Sequence, residues 1–289
     1  MNLTHGAHGS ANKSEVVRAV AGLFPTRLRY AAGFALTHHG DVGESFVRAL
    51  LLELTESGSA SHRARLFKAA SRHTLAIGVT LDPDTDPNSI REVLIEREYD
   101  APGYVAESGD LVIDVGAQHG EFSILNAVLR GARVIAFEPV ASNCRVFRRN
   151  CELNHVSGVE LREIALGARE GLLRGQFYGG MFVRDHLGRM ARSEKVAATT
   201  LDSSNLLDLA SGRQVILKID AEGSESEILS GAVQFLRLVT PRLIIEVDHA
   251  SESSLREKLA AVGYEIEITR RKSFSSLIFA REASARVGG

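Results

Sequence analysis

Long hydrophobic runs are missing from this sequence. Nowhere do roughly 18 uncharged apolar residues follow one another, so no membrane-spanning helix is expected. The opening stretch "MNLTHGAHGSANKSE" lacks a basic segment followed by an apolar one, so no signal peptide is expected either. Charge of one sign is also missing. With 34 Lys and Arg against 36 Asp and Glu, the net charge of −2 gives no field for a polyanion, and nucleic acid is not an expected partner. Cysteine is scarce. Cys144 and Cys151 stand seven apart in a helical pattern, too far around and along for a short-range disulfide, and two such thiols imply a reducing, cytoplasmic setting.

The chain has 289 residues, of which 44% are hydrophobic, enough for one large core or two smaller ones. From Glu15 to about Lys68, "EVVRAVAGLF", "LRYAAGFAL" and "ESFVRALLLELTE" repeat apolar residues at three- and four-residue spacings, the mark of amphipathic helices. "LDPDTDPNS", residues 81–89, gathers turn-forming residues and reads as a boundary. The expected organisation is therefore a helical N-terminal region over 1–88, as a cover or a homodimer contact, and a second domain over 89–289.

Beyond that boundary, short apolar runs alternate with helical patterns, as in a parallel sheet covered by helices. "LVIDV", "RVIAF", "VELREI", "QVILKID", "RLIIEVD", "YEIEIT" and "SFSSLIFAR" make seven strands. Only "RRK" joins the last two, too short for a parallel crossover. The expected fold class is α/β: a Rossmann-like, seven-stranded, mostly parallel sheet ending in an antiparallel hairpin.

In such a sheet, ligands bind beyond the carboxyl ends of the strands, where a glycine turn lets them approach the backbone. "LVIDVGAQHGEFS" is that turn, but its spacing is G-x-x-x-G, and Gln118 fills the place of the middle glycine of a dinucleotide site. This disfavours a pyrophosphate and favours a smaller zwitterion, whose amino group suits Asp114. "RVIAFEP" ends the second strand in Glu138, where an acid can accept hydrogen bonds from both hydroxyls of a ribose.

"VIDVGAQHGEFS", "AFEP", "ALG", "TLD", "LKIDAEGSESEILSGA" and "PRLIIEVD" resemble the FkbM family of S-adenosylmethionine-dependent methyltransferases from about Tyr99 onward. The resemblance implies that Asp114, Gly116, Ala117 and Gly120 wrap the methionine part of the cofactor. Glu138 takes the ribose, and the stretch from Ala165 borders the adenine. Gln118 and His119, standing where the family has Asn and an apolar residue, are counted with the cofactor set. It further implies methyl transfer to an oxygen of a small-molecule acceptor, a natural product or sugar.

Candidate catalytic groups lie at the ends of the fourth and fifth strands: Asp220 and Glu222 in "LKIDAEG", and Glu246 and His249 in "IIEVDHA". A carboxylate or imidazole there can orient or deprotonate an acceptor hydroxyl. Three acids in "DAEGSE" also invite a metal, but the helix dipole accounts for Glu225 and Lys218 can neutralise a neighbour, so none is expected. His5, His8, His38, His39 and His186 are set aside as tail, helix-end or loop residues. The alternatives are a nicotinamide-dependent oxidoreductase and a non-catalytic regulatory protein that binds a nucleoside cofactor.

Overall fold

The strands of the computed structural model run in chain order as β1 (Leu111–Val115), β2 (Arg133–Phe137), β3 (Val159–Arg162), β4 (Ala165–Leu166), β5 (Gly171–Tyr178), β6 (Met181–Arg184), β7 (Glu194–Thr199), β8 (Val215–Ile219), β9 (Arg242–Asp248), β10 (Tyr264–Arg271) and β11 (Ser275–Glu282). The structure describes residues 74–178, 181–184 and 194–283. The helical patterns expected before His73, with His5, His8, His38 and His39, lie outside the described residues, as does His186. The described residues belong to one compact unit that begins at Thr74.

Seven strands form one sheet in the order β10-β11-β9-β8-β1-β2-β3. β3, β2, β1, β8 and β9 pair in parallel, while β11 enters between β9 and β10 and runs antiparallel to both. The short connection from Arg271 to Ser275 makes that hairpin, as its length requires. β1 is buried at all five positions because it is central, with β2 on one side and β8 on the other. That is why "LVIDV" shows no alternation. Strand order reverses between β1 and β8, which opens a crevice at their carboxyl ends.

Helices cover the sheet. α1 starts at Pro87–Ser89 and widens into a π-helical stretch over Ile90–Ile95. α2 starts at Glu121–Ile124 and widens likewise over Leu125–Leu129. α3 (Ala141–Leu153) buries Cys144, Phe147 and Asn150 at helical spacing and leaves Arg145, Arg148 and Arg149 toward solvent, so its arginines form a solvated face. Cys144 and Cys151 are free thiols on this one helix, and burial pushes both up to about 11. α4 (Leu207–Ala210), α5 (Glu225–Ser230), α6 (Val233–Val239) and α7 (Glu252–Ala261) follow. The main core joins the sheet to these last helices: Ile113, Leu217 and Ile245 of the strands share it with Phe235 and Leu259 of the helices. Among the described residues no helix is long and apolar enough to cross a membrane.

The segment 81–89 is fastened to the sheet unit. Buried Asn150 accepts from the Asp82 amide and donates to Thr85, while Asn154 accepts from the Thr80 amide and donates back to its carbonyl. In addition, β4 to β7 form a second, four-stranded sheet in the order β4-β7-β5-β6, beyond the seven strands that the sequence suggests. Its core is small, with Ala165, Val196 and Ala198 backed by Leu173, and so few apolar positions leave little period to read.

Candidate active site

The residues after β1 fold as a tight loop because two of them have no side chain. A Cβ on Gly116 would lie 1.8 Å from the Asp220 carbonyl oxygen, so the tips of β1 and β8 approach only if this residue is glycine. A Cβ on Gly120 would meet the Phe147 ring at 2.3 Å, and Gly120 also has the left-handed φ of 87° that starts α2. Between them Gln118 takes a φ of 49° and points its backbone amide at Glu138.

Glu138 directly follows β2 and is 4% exposed. One carboxylate oxygen accepts from the Gln118 amide at 2.9 Å, and the other from the Val140 amide at 2.9 Å and the Asn143 side chain at 3.2 Å. Burial pushes its carboxyl up to about 7, against these three donors, which favour the ionised form. Of a carboxylate's roughly four acceptor sites, three are used.

Asp114 is placed differently from the expectation. It is fully buried in β1, where register sets it beside Lys218 of β8. The Lys218 ammonium lies 3.2 Å from Asp114, donates to the Gly116 carbonyl at 3.0 Å and sits over the Tyr99 ring. The amino group that Asp114 attracts is therefore one of the chain's own. Burial works against the lysine's charge, but Asp114 and Asp220 outweigh it and hold its pKa above the usual value. Ser123 donates to the other Asp114 oxygen at 2.7 Å.

A cavity of about 260 Å³ lies over the crevice. Gly116, Gln118, Glu138 and Ala165 line it, together with Phe137, Asn143 and Leu166. Asp114, Ala117, His119 and Gly120 do not; they build the loop behind the wall. Ala117 packs against Ala136 and Phe147, and the His119 ring accepts the Asp86 amide at 3.1 Å. His119 thus fastens the residue before α1, and Gln118, whose side chain accepts from Ser89 at 2.7 Å, fastens α1 itself.

The far wall comes from the ends of β8 and β9. Of the four candidate catalytic residues, Asp220, Glu222 and Glu246 line the cavity. His249 does not: it is exposed, and its ring bonds the Ser275 carbonyl at 2.7 Å, because the chain leaves β9 there and turns beside the hairpin. Three lining residues escaped sequence reasoning. Tyr99 is buried and gives its hydroxyl to Asp220 at 2.9 Å, with Glu246 at 3.4 Å. Lys272, in the hairpin connection, holds both Glu246 oxygens at 3.0 and 2.9 Å and Glu98 at 3.1 Å. Glu92 of α1 is paired with Arg91. Nothing in local pattern marks these three; they meet the site only through the fold. Glu222 is exposed and has a φ of 51°; partial desolvation, with Asp220 and Glu246 nearby, pushes its carboxyl up to about 7.

The family model of the methyltransferase FkbM domain matches residues 114–266, more than half of the chain. The chain belongs to the FkbM methyltransferase family. Methyltransferase 1 of Beauveria bassiana is 26% identical over 163 residues, which cover 49% of this chain and 65% of that protein, so the match leaves about a third of the relative's length unspanned. Among solved structures, the precorrin-6y C5,15-methyltransferase of Geobacter metallireducens aligns with a TM-score of 0.42 at 14% identity, over 71% of this chain and 93% of that one. The ribosomal protein L11 methylase of Lactobacillus delbrueckii subsp. bulgaricus gives 0.42 at 16%, over 71% and 84%. The motifs "TLD" and "ALG" of this FkbM chain have structural duties of their own. Asp202 accepts the Gln234 and Phe235 amides at the start of α6, at 3.1 and 2.7 Å, and so caps that helix. Gly167 donates its amide to the Thr199 carbonyl at 3.0 Å, which ties the end of β4 to the end of β7.

S-adenosylmethionine is the cofactor of this family, and the residues present fit it. Glu138 offers a dry carboxylate with acceptor capacity left for a ribose hydroxyl, and the acids of the far wall suit a sulfonium cation.

Proposed function

We propose that this FkbM chain transfers a methyl group from S-adenosylmethionine to an oxygen of a small-molecule acceptor. The observation that carries the reading is one cavity lined both by Glu138 at the end of β2 and by Asp220, Glu222 and Glu246 at the ends of β8 and β9. The cofactor brings the activated methyl, and the protein's part is alignment. Glu138 would fix the ribose, with Gln118, Asn143 and Val140 holding the carboxylate in place. Ala165 and Leu166 would border the adenine. The acceptor then lies toward Asp220 and Glu246, whose positions Tyr99 and Lys272 hold. Carboxylates at hydrogen-bonding range are acceptors for hydroxyl protons, which supports an alcohol or sugar over an apolar acceptor. The unpaired thiols Cys144 and Cys151 support a cytoplasmic setting for this reading.

The test is incubation with S-adenosylmethionine labelled in its methyl group and the small-molecule fraction of a cell extract. Label is expected in an ether of low mass, and Glu138→Ala is expected to lose most of it at limiting cofactor. Label in protein or nucleic acid with none in that fraction would contradict the acceptor class.

A further inference from the structure

The carboxylates that line the cavity differ in how far they are engaged. Glu138 takes three N–H donors. Glu246 takes Lys272 on both oxygens and the Ser275 hydroxyl at 2.7 Å. Asp220 takes the Tyr99 hydroxyl and stands 3.7 Å from the Lys218 ammonium. Glu92 is paired with Arg91, and Asp86 accepts from the amide and hydroxyl of Ser89. Glu222 alone among them has a side chain with no hydrogen bond or ion pair among the described residues: it is exposed and lines the same cavity, free to meet an incoming acceptor.

The backbone that presents it is also unusual. Glu222 is a non-glycine residue in the left-handed region, a strained conformation that persists only where neighbours dictate the turn. They do so here. Glu225 accepts the Ala221 amide at 3.1 Å and the Gly223 amide at 3.0 Å, clamping the turn on both sides of Glu222. Gly116 lets β1 come against the Asp220 carbonyl just before it.

Resting on the methyl-transfer reading above, we infer that Glu222 is the catalytic residue that takes the acceptor's proton, while Asp220, Glu246, Tyr99 and Lys272 form a fixed platform around it. The acceptor oxygen forms its bond to the methyl carbon as the carbon–sulfur bond breaks. The electron pair of that bond stays on sulfur, leaving a neutral thioether, and the hydroxyl proton passes to the Glu222 carboxylate. The groups facing Glu222 are Asp220 and Glu246, which raise its proton affinity along with partial desolvation, and Lys218 and Lys272, which lower it. Their balance near neutrality suits a group that must take up a proton and give it back to solvent each turnover.

Four readouts on the full chain test this. Calorimetry with S-adenosylmethionine should give Glu222→Gln an affinity within about fivefold of the parent, since a partly exposed charge contributes little to binding. Transfer of labelled methyl to the extract fraction should fall by roughly 100-fold or more in Glu222→Gln, with part of the rate kept by Glu222→Asp. The parent's rate should climb with pH through about 7, and the climb should vanish in Glu222→Gln. Carbon NMR of labelled glutamate, with S-adenosylhomocysteine present, should show a side chain titrating near 7 that is missing from the variant. Retention of more than about a tenth of the rate by Glu222→Gln would overturn the assignment. So would turnover that stops on dialysis against a chelator and returns with magnesium, because an ion would then activate the acceptor. Failure of the parent to bind S-adenosylmethionine would instead remove the underlying reading, and the assignment with it.

Discussion

The two walls of the cavity are built by opposite means. At the ends of β1 and β2, Glu138 is held chiefly by main-chain amides within a few residues or one strand of it, from Gln118 and Val140. At the ends of β8 and β9, Asp220 and Glu246 are held by side chains from far along the chain: Tyr99 and Lys272. A wall made of backbone keeps its shape whatever side chains surround it, whereas a wall made of side chains changes with each of them. The first suits a constant cofactor. The second is where an acceptor's identity can be set.

Several substitutions sharpen or break that contrast. The largest effect is expected from Lys218→Met, beneath both walls. Removing one member of a buried ion pair leaves Asp114 uncompensated and should cost about 3–5 kcal/mol in urea unfolding. Adding Asp114→Asn should return much of the loss, and a cost below about 1 kcal/mol would show that the pair is not what joins the walls. Gly116→Val belongs in the same class: its side chain would strike the Asp220 carbonyl, so loss of binding there would report a damaged fold.

Glu121, behind the first wall, should give the next effect. Burial raises its carboxyl to about 8, so the folded chain keeps this proton where the unfolded chain has lost it. Its contribution is complete below the ordinary glutamate range and disappears as pH rises to about 8, a loss of a few kcal/mol. Thermal unfolding of the parent should drop between pH 5 and 8.5, and Glu121→Gln should drop less. An equal fall in both would assign the trend to other groups.

Glu138→Ala should weaken S-adenosylmethionine binding by roughly 1–3 kcal/mol, the value of charge-assisted hydrogen bonds to a ribose, while leaving the fold intact. An unchanged affinity would remove Glu138 from the first wall. The smallest effect is expected from His249→Ala. The ring is exposed and bonds a carbonyl away from the cavity lining, so stability should stay within about 0.5 kcal/mol and transfer should be unaltered. A large loss of transfer would bring His249 back among the catalytic groups.

The same contrast governs what could be read from the sequence. The strands, the terminal hairpin and Glu138 were legible because each depends on a local run or on its place after a strand. Lys218 could be seen as a neutraliser, but only the β1–β8 register names Asp114 as its partner. Ala117, His119 and Gly120 fall in the loop that the sequence marks but do not line the cavity, since a sequence shows that a turn must be tight without showing which of its side chains face inward. Tyr99 and Lys272 lie in stretches with no pattern of their own, and tertiary packing alone brings them to Asp220 and Glu246. The second sheet was hidden because its few small apolar residues carry no clear period.

The central claim is that the first wall is a site for S-adenosylmethionine. Calorimetric titration of the chain with S-adenosylmethionine and, separately, with NAD tests it most directly. Binding of S-adenosylmethionine at micromolar strength, about 8 kcal/mol, is expected with no measurable uptake of NAD, because Gln118 occupies the place a pyrophosphate needs. Uptake of NAD without S-adenosylmethionine, or of neither, would contradict it.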